Sequence, residues 1–472
     1  MSSELWRRGA LELADMIRSG EVSAREVVDA HLARLTDVNP HLNAVVRVLA
    51  DEARQAAGRA DAQQRAGEAL GPLHGVPFTV KENIDLAGTP TTSGIAILAD
   101  AIAPVDAPVV ERMRAAGAIP IGRTNLPDLG LRVTTESSLH GVTRNPWNPQ
   151  RTAGGSSGGE GAAIASGISP LGLGNDLGGS LRNPAHCCGI ASIKPTGGVV
   201  PAATCVPPEN PALSFQIMAV EGVMARRVAD VRAGLLAVAG RHRRDPLSAP
   251  LHLTVRHGGS APWRVAVLAE PPGGSTHPGI AAAVRRAAAA LADAGHRVAD
   301  ATPPDYERSL VMWREVLSAD LRLQRPLLDL VMGDDARAFL DATDAATPPT
   351  DLATWADHLT QRIGLARAWS AWFADIDVLL CPTWTQPPFE TRADVLSPQG
   401  ALDTLELMRP VLPPNLLSLP AAVVPAGFAD GLPVGVQVIG DRFDDLTCLA
   451  VAEIIEQHLG VITPIDPVHA VS

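Results

Sequence analysis

GGSSGGEGAAIASGISPLGLGNDLGGSLRNPAHCCGIASIKPTGGVVP, residues 154–201, is the stretch on which the reading of this 472-residue chain turns. Glycine, serine and alanine dominate it, which is the composition of a flexible linker. Residues 162–168 and 171–173 are too apolar to sit in water, however. The small residues therefore mark backbone packed tightly against backbone. Two serines lie among glycines, in Gly154-Gly155-Ser156-Ser157-Gly158-Gly159 and in Asp176-Leu177-Gly178-Gly179-Ser180-Leu181-Arg182. Glycine lets backbone N–H groups approach a ligand closely. The N–H groups of Leu177, Gly178, Gly179 and Ser180 are thus candidates to hold a developing oxyanion.

A serine is a weak nucleophile until a base takes its proton. His74, His140 and His186 are near in sequence, but none has a distinctive partner pattern. Upstream, the apolar run 76–80 reads as a buried strand that ends at Lys81. A lysine at such a place is desolvated, which lowers its pKa and frees the neutral amine to accept a proton. GGSSGG also satisfies G-x-S-x-G, the nucleophile elbow of α/β-hydrolases, which would need a histidine base. That reading leaves Lys81 and the second serine motif unused.

The rest of the chain reads as one α/β unit. Residues 1–70 are helical in pattern, with an S-x-x-E capping box at Ser23 and Glu26. Residues 51–70 suit a largely exposed helix. Asp106 is placed to cap a helix carrying Val109, Val110 and Met113, closed by Gly117, before a strand at 119–122. Strand, helix and strand at this spacing form a βαβ unit and imply a parallel or mixed sheet. Residues 240–262 are a polar surface excursion. Further strands are expected at 265–268, 377–380, 421–424 and 434–439. Helices are expected at 278–295, over 305–375 with loops near 345–350, and at 445–458.

The formal net charge of −12 gives no general attraction to nucleic acid or anionic membrane. The five cysteines are scattered with no CxxC pair, which fits neither a zinc knuckle nor a disulfide framework and suits a reducing cytoplasmic setting. The start MSSELWRRGALELADMIRSG lacks an apolar h-region, and no run of about 18 apolar residues occurs.

Residues 154–201 and LHGVPFTVKENIDLAGTPTTSG (73–94) together resemble the amidase signature family. GRTNLPDLG (122–130), RNPWNP (144–149), GVMARRVADV (222–231), DVLLCPT (377–383) and LPAAVVPAGFADGLPVGVQVIG (419–440) extend the resemblance. It implies a single large α/β domain with a central mixed β-sheet covered by helices on both faces. Residues 1–70 would be an N-terminal helical segment packed on the core. Residues 71–465 would be the catalytic domain, with a variable helical region at about 240–375.

Residue by residue, the resemblance makes Lys81 the general base, Ser156 a bridging serine after a cis Gly155–Ser156 peptide, and Ser180 the nucleophile. Leu177, Gly178, Gly179 and Ser180 would form the oxyanion hole. Asp176 and Arg182 would be a supporting charged pair, and Ser157 a supporting serine near the lysine. Gly130, Leu131, Arg132 and Gly155 would line the substrate pocket, with Arg132 free to meet a polar or acidic group. Asn175 departs from the family, which often has threonine there.

The implied activity is hydrolysis of a carboxamide C–N bond through a seryl acyl-enzyme, with no cofactor and no metal. The expected partner is a small-molecule amide, with no nucleic acid and no membrane, and a homodimer is allowed for. Within the family, the glutaminase component of the tRNA-dependent amidotransferase uses the same triad to release ammonia from glutamine. Residues 201–223 lack the tyrosine- and serine-containing pattern associated with that component.

Overall fold

The structure, a computed structural model, describes residues 2–259 and 261–468. Its centre is one mixed sheet of eleven strands. In chain order these are β1 (Val45–Val48), β2 (Pro77–Lys81), β3 (Ile119–Thr124), β4 (Leu171–Asp176), β5 (Ala191–Lys194), β6 (Val220–Ala225), β7 (Arg264–Val267), β8 (Arg297–Asp300), β9 (Val378–Pro382), β10 (Ala421–Ala429) and β11 (Leu432–Ile439). Across the sheet they run β1-β3-β2-β4-β6-β5-β10-β11-β9-β7-β8. β2 pairs in parallel with both β3 and β4, so the expected βαβ unit is present. β4 and β6 are antiparallel.

The central strands are apolar on both sides, as strands buried under helices must be. Side chains alternate across a strand, and the packing follows that period. Phe78, Val80, Val378, Leu380, Ala422 and Val424 share one core. Leu13, Ala57, Met113, Leu235, Val284 and Leu449 come to it from six helices. The intervening Leu379, Cys381 and Ala421 pack instead with Trp313 and Trp369, and Val423 with Ala162 and Ala185. Thr79 and Lys81 therefore face the side of the sheet that carries helices Gly158–Ala165 and Arg182–Cys188. Thr79 Oγ1 confirms it by donating to Glu160 Oε2 at 2.6 Å. Each aliphatic side chain buried in these layers contributes about 1.5–3 kcal/mol.

The capping box forms: Ser23 Oγ accepts from the Glu26 N–H and Glu26 Oε2 from the Ser23 N–H. Three local expectations are corrected. The N-terminal segment is not wholly helical, because β1 pairs antiparallel with β3 between two of its helices. Asp106 does not cap helix Pro108–Ala115, which starts from Ala107. Its carboxylate is held by the Ala87 N–H and by Arg114. β8 falls just after helix Pro278–Asp293, where no strand was expected. Among the described residues no helix is long and apolar enough to cross a membrane.

Candidate active site

β2 carries Lys81 to its C-terminal end, where the side chain is fully buried. Lys81 Nζ donates to Ser156 Oγ at 2.7 Å and to Asn175 Oδ1 at 2.6 Å. Asn175 Nδ2 in turn donates to Asn83 Oδ1 at 3.0 Å. Ser156 sits in the turn before helix Gly158–Ala165, and the Gly155–Ser156 peptide is cis. Only glycine fits before it, since a Cβ on Gly155 would lie 2.5 Å from Thr134 O.

The second motif turns from β4 into helix Arg182–Cys188. Ser180 and Ser156 line the same cavity. Gly179 has φ +98°, a left-handed conformation that favours glycine. Its N–H donates to Asp176 Oδ1 at 2.8 Å, and the Leu181 N–H donates to Oδ2 at 3.1 Å. This corrects the four-donor oxyanion set: the Gly179 N–H is already taken, which leaves Leu177, Gly178 and Ser180. Trp313 packs over the turn, its Nε1 donating to Leu177 O at 3.1 Å.

Asp176 and Arg182 meet in a buried bidentate pair, with Nε and Nη2 each 3.0 Å from a carboxylate oxygen. Asn415 Nδ2 also donates to Asp176 Oδ1, and Gln437 Oε1 accepts from Arg182 Nη1. Burial alone would raise the Asp176 pKa; the Arg182 guanidinium outweighs it and holds the carboxyl well below the usual range. The turn is thus pinned from behind by an ionised carboxylate. Ser157 does not touch the lysine directly. Its N–H donates to Ser180 O and its Oγ to Asn175 O, so it ties both motifs together.

Burial pulls the Lys81 amine from its ordinary 10.5 down to about 7, against the opposing pull of Asp176, Glu160 and Glu221. Half the amines are then neutral near pH 7. Asn175 Oδ1 can only accept, so a neutral Nζ keeps donating to it and has its lone pair for Ser156. The histidines have other work. His140 Nε2 lies 2.6 Å from Glu82 Oε2, His74 bonds to Ala60 O, and His186 is buried against Gly435 and Gln386.

A cavity of about 930 Å³ opens over the two serines. Gly130, Leu131 and Arg132 line it; Gly155 is not among its lining residues. Arg132 is corrected in role. Its guanidinium is buried and clasped by Asp394 at 2.8 and 2.9 Å, with Glu136 and Asp335 beside it, so no free cation meets a substrate. Arg132→Met is expected to cost about 3–5 kcal/mol, because Asp394 is left as an uncompensated buried charge. Denaturant unfolding of the variant measures it.

Sequence reasoning missed Asn83, Trp313, Glu221, Asn415 and Gln437, which reach the site from distant segments. Only Asn175 carried a signal, as a departure from its family. Among the described residues no cluster of three or more His, Cys, Asp or Glu is placed to hold a metal ion.

The family model described as Amidase matches residues 26–449. An indoleacetamide hydrolase of Bradyrhizobium diazoefficiens is 41% identical over 461 residues, covering 97% of this chain and 88% of that one. The glutaminase component of a glutamyl-tRNA(Gln) amidotransferase from Synechococcus sp. is 34% identical over 487 residues, covering 97% and 96%. The solved structure of a 6-aminohexanoate cyclic dimer hydrolase complexed with substrate superposes with a TM-score of 0.83 at 32% identity, covering 97% of this chain and 98% of that one.

Proposed function

The chain belongs to the amidase family and hydrolyses amide bonds, and from that premise we propose that it does so with Ser180 as nucleophile, Ser156 as proton bridge and Lys81 as general base. The observation that carries the reading is the bond between a buried, pKa-lowered Lys81 and Ser156 on the wall that also holds Ser180. Neutral Lys81 takes the Ser156 proton as Ser156 takes that of Ser180, and Ser180 Oγ attacks the amide carbon. The tetrahedral oxyanion is met by the N–H groups of Leu177, Gly178 and Ser180, each such donor contributing roughly 3–4 kcal/mol. The relay then returns a proton to the departing nitrogen, the C–N bond breaks, and the acyl group stays on Ser180. Water, deprotonated by the same relay, cleaves the ester.

For the substrate we propose an arylacetamide. The likeness to an indoleacetamide hydrolase supports this. So do the apolar cavity walls, where Leu131, Val133, Phe215, Trp313 and Met408 suit a flat ring. The higher identity to that hydrolase than to the amidotransferase component favours an enzyme that works alone. The isolated chain is expected to release ammonia from indoleacetamide. Silence on indoleacetamide, with ammonia release from glutamine only beside a partner protein, would instead make it the glutaminase of an amidotransferase.

A further inference from the structure

Asp85 and Asp245, which lie close to Glu221, have their hydrogen bonds made. Asp85 accepts from Thr91, Thr204 and the Cys205 N–H, and Asp245 from the Ala202 N–H. Glu221 differs. It stands on β6 directly across from Asn175 on β4, so the two side chains share one face of the sheet. It lines the cavity beside Asn175 and Asn83, the residues that hold Lys81. Its Oε2 is shut off from solvent and has no hydrogen-bond partner among the described residues. A buried polar group left unmade in a native fold costs about 1–3 kcal/mol and calls for a functional reason. Its remaining access is to the cavity, whose other walls are largely apolar.

We propose that Glu221 selects the substrate, its carboxyl accepting a hydrogen bond from an N–H on the ring of an arylacetamide, so that rings with this donor are preferred over isosteric rings without it. The inference rests on the proposed hydrolysis of arylacetamides at Ser180. Burial, with Asp85 and Asp245 nearby, pushes the Glu221 carboxyl up to about 8. At neutral pH it is therefore mostly uncharged, an acceptor for a neutral N–H and not a trap for a cation. An unmade partner in a pocket built for a donor is what lets a site reject the analogue that lacks it.

The test compares indole-3-acetamide with benzothiophene-3-acetamide, in which sulfur replaces the ring N–H. Native enzyme is expected to favour the indole compound by about tenfold in kcat/KM, mostly through KM. Glu221→Leu is expected to bring the ratio close to one, and Glu221→Gln, which can still accept, to restore most of it. Equal kcat/KM values for the two compounds with native enzyme overturn the proposal even if the leucine variant fails to fold. So does a ratio unchanged in Glu221→Leu, a fall in kcat shared by both compounds, or no turnover of the indole compound. Failure of the underlying mechanism reads out separately, as turnover that survives Ser180→Ala.

Discussion

Ser180→Ala is expected to lower kcat/KM by roughly 10⁴-fold or more, a loss of about 5.5 kcal/mol in transition-state stabilisation. Without Oγ no acyl-enzyme forms, and the Ser156–Lys81 pair has only water to activate. The N–H groups of Leu177, Gly178 and Ser180 survive the substitution, so a small rate above background remains. The side chain removed is small and reaches into a cavity, and the turn is still anchored by Asp176, Arg182 and Asn415. The folded state should therefore melt as the native protein does. KM should change little, because the oxygen acts in the transition state. Ammonia release under single-turnover conditions measures the loss, and a fall below tenfold would remove Ser180 from the reaction.

Lys81→Met is the second large effect, with an expected loss of about 10²–10⁴-fold, the range for a positioned general base. Methionine matches the buried methylene stem but offers no lone pair to Ser156. In the native enzyme the active form is the neutral amine. Rate should therefore rise with pH through about 7 and then level off. At pH 6 about a tenth of the plateau is expected, and at pH 8 about nine-tenths. An ordinary exposed lysine, ionising near 10.5, would still be climbing at pH 9.

Stability carries the same signature. Between pH 7 and 10.5 the unfolded lysine binds a proton that the folded one does not, so this group's contribution to stability rises with pH over that window. Lys81→Met removes the burial cost, and the variant should unfold at the same or a higher temperature. Activity loss joined to unchanged or improved stability distinguishes a base from a structural residue.

The parts of this molecule legible in the sequence are those whose causes are local. The capping box needs only Ser23 and Glu26, and the βαβ unit only the apolar runs that end at Lys81 and Thr124. The fold class and the two serine motifs were legible for the same reason: residues 154–201 pack small side chains at fixed spacing. What the sequence hid is pairing at a distance. Arg132 reads as a free cation until Asp394, 262 residues on, closes over it. Asp106 has the chemistry of a cap but spends it on Ala87 and Arg114. β8 is a mostly exposed edge strand with no apolar alternation, and β1 is four residues between two helices. Trp313 and Glu221 reach the cavity from segments whose own patterns give no hint of it.

The most direct test of the central claim is to treat the native chain with an alkyl fluorophosphonate and locate the adduct by peptide mass mapping. Phosphonylation displaces fluoride and needs the same activated oxygen that attacks the amide. The account predicts one adduct per chain, on Ser180, formed faster as pH rises through 7 and nearly absent in Lys81→Met. An adduct on Ser156 or Ser157, or labelling of Ser180 at equal rate without Lys81, would contradict it.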